Sequence, residues 1–318
     1  ELGADVYTPQ PPVFYWLLQV LGAPFGESVG GVRVGFVVLA VIGVVAAFAA
    51  AHTLYGIGAG LAAGLFLVIG PPYPTVAPTV AADVPSLSLG LVALAFVAHA
   101  VGPRASRWWG VGAGAVAALA VLTKFLAAPF LVPLAVIPLA RRSGRRVLPA
   151  IVAGGAAATA LVLLVHLGSL AELWTGAVGD HEGAKALSRV GDNVDRLRWL
   201  LEWRTPFGWL VPAGAVAFVL SREARKTWPL ATLVPAAALF TLYVRPLPDH
   251  QLALMACAYA VAAGPALALG VAQLRGNTRR LATVAVVLFV AAGVFQEQRR
   301  QTRNDVPEPP HVTWATDA

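Results

Sequence analysis

Residues 32–48 read VRVGFVVLAVIGVVAAF, and this stretch decides the fold class. After Arg33 no polar or charged side chain appears until His52. An α-helix rises about 1.5 Å per residue, so such a run crosses the roughly 30 Å hydrocarbon core of a bilayer. Similar runs recur along the chain. They are continuous rather than alternating, which excludes a transmembrane β-barrel. Charged residues make up only 12% of the chain, about half the usual share for a soluble domain. The sequence therefore predicts an all-α, polytopic transmembrane helix bundle.

Ten spans are read, at about 29–50, 57–72, 84–101, 108–122, 125–140, 147–167, 207–221, 228–244, 251–273 and 281–296. The run 108–140 is too long for one crossing and is split near Lys124. Residues 12–25 are short and open on Pro11-Pro12. Proline is tolerated in a first helical turn, so this segment predicts a helix lying at the interface. In RVGDNVDRLRWLLEWR (189–204), Val190, Val194, Leu197 and Leu201 fall at helical spacing, with arginines and Trp199 and Trp203 beside them. That pattern predicts an amphipathic helix on the membrane surface. Gly56, Gly60 and Gly64, and likewise Gly110 and Gly114, read as close helix-packing faces.

The net charge of +7 does not indicate a nucleic-acid partner, because the basic residues form no single patch. Loops 102–107, 141–146, 222–227 and 274–280 carry 12 of the 23 basic residues and one acid, Glu223. All four fall on one side, which the positive-inside rule makes cytoplasmic. The opposite face then holds residues 1–28, 73–83, the turn at 124, the loop 168–206, the turn 245–250 and the tail. Cys257 is the sole cysteine, so neither a disulfide framework nor a cysteine metal site is available.

Ionisable residues near membrane spans are costly and point to function. Asp5, Asp83, Lys124, Asp180, His181, Glu182, Asp249 and His250 all map to the outer face, predicting a site at the outer mouth of the bundle. Each has a plainer reading. Asp83, in PTVAADVPSL, could cap a helix. Lys124, in LTKFLAAP, could snorkel from a span end, or bind a phosphate. Asp249 and His250, in RPLPDHQLAL, could be turn residues, or with Arg245 could hold a phosphate or sugar. GDHEGAK (179–185) reads as a solvated loop, because consecutive acids and a histidine rarely face one ion. His52, His99 and His166 read as interfacial packing, and His311 lies in the tail. No Walker, HExxH or serine-elbow motif occurs.

The blocks in order resemble a known family. DVYTPQPPVFYWLLQVLGAPFGES followed by VRVGFVVLAVIGVVAAF is similar to membrane glycosyltransferases of the GT-C class. The resemblance is closest to the protein O-mannosyltransferase and lipid A aminoarabinose transferase group, with Tyr7, Pro11, Pro12, Tyr15, Phe25, Gly26 and Arg33 matching in order. PTVAADVPSLSLGLVALAF, GAGAVAALAVLTKFLAAPFLVP and RPLPDHQLALMACAYAVAAG resemble three further family blocks. The likeness runs from about residue 5 to 296. It implies an inverting transfer from a polyprenyl-phosphate-linked sugar to a glycan, lipid or protein acceptor, at the outer face of the cytoplasmic membrane.

By that resemblance Asp83 and Asp5 are the catalytic candidates, and Lys124, Arg245 and His250 would bind the donor phosphate. Tyr7, Gln10, Pro11, Pro12 and Asp249 would line the substrate site. No metal ligands are assigned and no cofactor is required, though a divalent metal is left open. The family's principal catalytic acid lies upstream of the Pro-Pro pair, so a span and an acid are expected to precede Glu1. That would give eleven or more spans in the full protein. Residues 1–296 would form the transmembrane domain, and 297–318 an extracytoplasmic tail that begins a truncated soluble domain. A multi-pass transporter or lipid flippase is the alternative, and it would place its charges nearer the midplane.

Overall fold

The computed structural model of the protein describes residues 10–26, 28–102, 106–141, 144–169, 171, 175, 190–202, 205–244, 247–286 and 292. Every regular element among them is helical. Helices α1 to α4 span Pro12–Gly22, Val29–Tyr55, Ile57–Ile69 and Tyr73–Val76. Helices α5 to α8 follow at Asp83–Ala100, Arg107–Thr123, Leu131–Leu139 and Leu148–Val165. Helices α9 to α12 are Val190–Leu200, Pro206–Leu220, Leu233–Tyr243 and Ala253–Gln273. Among the described residues four helical stretches are long and apolar enough to cross a membrane: Val29–Tyr55, Asp83–Ala100, Gly144–Val165 and Asp249–Gln273. The chain is thus a multi-pass membrane protein, and its other apolar helices are shorter, at 10–17 residues.

Local sequence explains the breaks. Ser28 caps α2 by accepting a hydrogen bond from the Gly31 amide at 3.1 Å. The helix ends at Gly56, whose φ of +94° suits a residue without a Cβ. That turn sends α3 straight back along α2. Gly56 is therefore a hinge between helices, not a packing residue. Gly60 does pack: a Cβ there would meet the His52 Cβ and the Phe48 carbonyl oxygen at 2.8 Å. A Cβ at Gly64 would sit at an ordinary 3.5 Å from Phe48. The split expected near Lys124 is present. This residue is extended, and a 3₁₀ turn at Phe125–Phe130 leads into α7.

The core centres on α12, which is buried without interruption from Ala253 to Ala266. Its alanines and glycine let α3, α10, α5 and α2 approach closely, as in other helix bundles packed by small residues. Helix α8 lies at the opposite extreme, with only Gly154 and Val162 buried. Its exposed Val152, Leu161 and Leu164 suit a lipid-facing surface.

At one end of the bundle Arg141 donates to the carbonyls of Leu54 and Val101, at 3.5 and 3.4 Å. These carbonyls belong to the C-terminal ends of α2 and α5, where backbone acceptors are left over and a cation is favoured. At that same end Ser221 donates to Gln273 at 2.9 Å, tying α10 to α12. Asp83 and Asp249 lie at the opposite end, while Glu223 stays at this one, paired with Lys226 at 2.7 Å.

Tyr73 locks α4 into the bundle. Its hydroxyl donates to the Ala40 carbonyl at 3.1 Å and lies 2.8 Å from the Ser88 hydroxyl, all buried. Tyr73→Phe is expected to destabilise the protein by about 1–2 kcal/mol, the cost of two lost buried hydrogen bonds reduced by partial re-pairing. Denaturant unfolding of the purified protein measures it. An unchanged midpoint would show that this hydroxyl bonds nothing.

Candidate active site

Asp83 opens α5, and its neighbour Ala82 occupies the capping position with no side-chain bond. The expectation that Asp83 caps the helix is therefore corrected. Its carboxylate is held by a cation instead. Oδ1 accepts from Lys124 Nζ at 2.8 Å, and the two side chains are only 1% and 13% exposed. The residues are 41 positions apart in sequence. Lys124 reaches because α6 stops at Thr123: the extended backbone of Lys124 turns its side chain back over the start of α5. It does not snorkel to a free surface.

The second carboxylate oxygen, Oδ2 of Asp83, is buried and accepts no hydrogen bond among the described residues. His250 Nε2 stands 3.8 Å from it, too far for a hydrogen bond but close enough to attract once protonated. His250 comes from the 3₁₀ turn Asp249–Leu252 that leads into α12. Helix starts and stops at one end of the bundle thus bring a carboxylate, a lysine and a histidine together. Asp249 faces away from them and bonds Arg196 Nη1 at 2.6 Å on the surface. Next in the turn, Gln251 is buried, and its Oε1 has no partner among the described residues.

Helix α1 lies across this end. Pro11 and Pro12 start it and are buried, while Gln10 just before them is half-buried. Phe14 packs with Phe36 and with Ala82, the neighbour of Asp83. Trp16 stacks on His166 with ring centroids 5.5 Å apart, which joins α1 to the end of α8. The packing role read for the span-end histidines holds, since His52 stacks on Phe48 and His99 lies against Trp109. Asp5, Tyr7, Arg245 and the 179–185 loop lie outside the described residues.

Two residues of this region were not singled out from the sequence. Asn193 in α9 is 1% exposed and donates both amide hydrogens, to the Thr241 carbonyl at 2.7 Å and the Val244 carbonyl at 2.8 Å. Gln251 is the other. The only sequence signal for Asn193 was a polar residue between the apolar positions of an amphipathic helix. Among the described residues no three His, Cys, Asp or Glu side chains gather as a metal site would require.

Comparison with known proteins places this geometry in context. Residues 9–168 match the family model described as dolichyl-phosphate-mannose-protein mannosyltransferase. No curated protein matches the chain. Among solved structures, the crystal structure of ArnT from Cupriavidus metallidurans bound to undecaprenyl phosphate superposes with a TM-score of 0.67 at 20% identity. The alignment covers 92% of this chain and 55% of that one, so the chain spans about half the length of its solved neighbour. The apo crystal structure of the same ArnT gives a TM-score of 0.43 at 18% identity, covering 85% of this chain and 69% of that one. At 20% identity the likeness to the lipid-bound ArnT speaks for a shared fold. The family match extends over half of the chain and takes in α1, Asp83 and Lys124 together: the chain belongs to the dolichyl-phosphate-mannose-protein mannosyltransferase family, a group of GT-C membrane glycosyltransferases.

Proposed function

We propose that the protein transfers a sugar from a polyprenyl-phosphate donor to a hydroxyl-bearing lipid, glycan or protein acceptor. The observation that carries this reading is the buried Asp83–Lys124 pair, facing His250, with a carboxylate oxygen that has no hydrogen-bond partner among the described residues. In the transfer the acceptor oxygen attacks the anomeric carbon and the bond from that carbon to the phosphate oxygen breaks. The polyprenyl phosphate leaves with the electron pair, and the acceptor's proton passes to a carboxylate. A departing phosphate needs cations where its charge develops. Lys124 and His250, with Arg245 five residues before the histidine in sequence, supply them in this reading. A carboxylate within reach of the acceptor hydroxyl serves as base. Asp83 is one such group, and Asp5, in the segment before α1, is the other.

Family membership and the ArnT-like fold support this reading. So does the placement of charge, which lies at helix ends and not at mid-span. That placement gives no support to a transporter or flippase.

The remaining features follow from the same reading. Five of the six shorter apolar helical stretches, all but the interfacial Pro12–Phe25, together with the apolar run 281–296 of the sequence, would complete about ten crossings. The end held by Arg141 would face the cytoplasm, and the site would open outside the cytoplasmic membrane. Residues 1–296 would form the membrane domain, with 297–318 continuing outside it. The test uses the full-length protein in membranes with a panel of labelled polyprenyl-phosphate sugars and candidate acceptors. Release of polyprenyl phosphate coupled to acceptor labelling is expected for one donor. Intact donors across the whole panel, in a folded protein, would overturn the assignment.

A further inference from the structure

Surface helix α9 bonds to the chain on the approach to His250. Helix α9 is amphipathic, and its inward face carries two polar anchors one turn apart, Asn193 and Arg196. Asn193 holds the chain just before the 245–250 turn. Its amide caps the Thr241 and Val244 carbonyls, which end α11 where no intrahelical donor remains. Arg196 holds the turn's far end, through Asp249. His250 is the next residue and stands 3.8 Å from Asp83 Oδ2. Helix α9 therefore straps both ends of the turn that faces the Asp83–Lys124 pair.

The two anchors are unequal. Arg196 and Asp249 are 42% and 82% exposed, and an ion pair so solvated holds weakly. Asn193 is buried, and both its amide hydrogens are used. Only a double donor fits between two carbonyl oxygens. Aspartate has nearly the same shape and would aim acceptors at acceptors. Leu200 is fully buried and Leu197 packs on the core, so α9 has an apolar seat independent of Asn193.

We propose that Asn193 is a positioning residue: by holding the end of α11 it fixes the chain that leads to His250, so that the imidazole meets the donor phosphate beside Asp83 and Lys124. The inference rests on the glycosyl-transfer reading above.

The test uses two readouts on the full-length protein in nanodiscs. The first needs no activity. A cysteine introduced by His250→Cys is labelled with a charged thiol reagent, with and without Asn193→Asp; Cys257 is fully buried and stays silent. Labelling is expected to quicken by about tenfold or more when the strap is released, and kcat/KM with His250 intact to fall by about 10- to 100-fold. The loss should sit in KM for the polyprenyl-phosphate donor. Asn193→Gln, which keeps both amide hydrogens, should restore part of it. Arg196→Gln, at an exposed position, should act in the same direction more weakly and serves if Asn193→Asp folds poorly.

Unchanged labelling would overturn the strap. Faster labelling with unaltered KM and kcat would overturn its role in the site. Failure of every donor in the unsubstituted protein would overturn the transfer reading instead, and labelling alone would then decide the strap.

Discussion

Lys124→Ala is expected to lower folding stability by about 3–5 kcal/mol and to abolish sugar transfer, the larger of the two single effects at this pair. The reason is the asymmetry of burial. The Asp83 carboxylate is 1% exposed, and among the described residues Lys124 is its only side-chain partner within hydrogen-bond distance. Removing the lysine strands a charge away from water, at the full desolvation cost. Asp83→Asn should cost less, because Lys124 is 13% exposed and its flexible stem can carry the ammonium toward water.

The decisive variant is the double one. Asp83→Asn with Lys124→Met removes both charges and leaves neutral side chains of similar volume, an exchange that is often neutral or stabilising. Its unfolding midpoint should return to within about 1 kcal/mol of the parent, while donor turnover stays lost. A double variant that recovers folding and transfer together would make the pair a structural bridge and move the chemistry elsewhere. Denaturant unfolding and release of polyprenyl phosphate, measured on the same preparations, separate the outcomes.

Much of this architecture is legible in the residues because the bilayer allows few solutions. An apolar run without partners for its backbone must be helical, so VRVGFVVLAVIGVVAAF fixes α2 before any contact is known. The break at Lys124 follows from length, and the α9 helix from apolar periodicity. Charge placement brought Asp83, Lys124 and His250 to one face, and the structure sets them side by side.

What the residues hide is which group bonds which. A carboxylate at a helix start is a cap by local rules, yet Asp83 is claimed by a lysine 41 residues away, a long-range contact with no local signature. Gly56 and Gly60 share the four-residue spacing of a packing stripe, but one turns the chain and the other packs. Asn193 could not be found at all from α9 alone. Its partners are backbone carbonyls of another helix, and any sequence can present those.

Adjacent glycines on α8 should respond in opposite ways. Gly154→Ala is expected to destabilise the protein by about 3 kcal/mol or more, whereas Gly155→Ala should stay within about 1 kcal/mol of the parent. Helices α6 and α8 cross with backbone against backbone. A Cβ at Gly154 would overlap the Val111 carbonyl oxygen and lie 2.9 Å from the Val111 Cα. On the other helix Gly114 faces Ile151, and a Cβ there would overlap the Ile151 carbonyl oxygen. Neither obstacle is a side chain that could swing away, so relief requires the helices to separate. A Cβ at Gly155 would meet nothing closer than the Gly114 carbonyl oxygen at 3.4 Å.

The cost at Gly154 is high because α8 has little else to hold it, with Gly154 and Val162 its only buried residues. In a membrane such a helix gains nothing from leaving lipid, and its association depends on close van der Waals contact at small residues. A methyl group at Gly154 removes that contact. A methyl group at Gly155 preserves it and adds helix propensity. Gly58→Ala, on a face of α3 with nothing within 4 Å, should match Gly155→Ala and serves as a reference. Thermal unfolding of the three variants in one detergent tests the crossing. If Gly154→Ala and Gly155→Ala unfold alike, α6 and α8 do not meet at this seam.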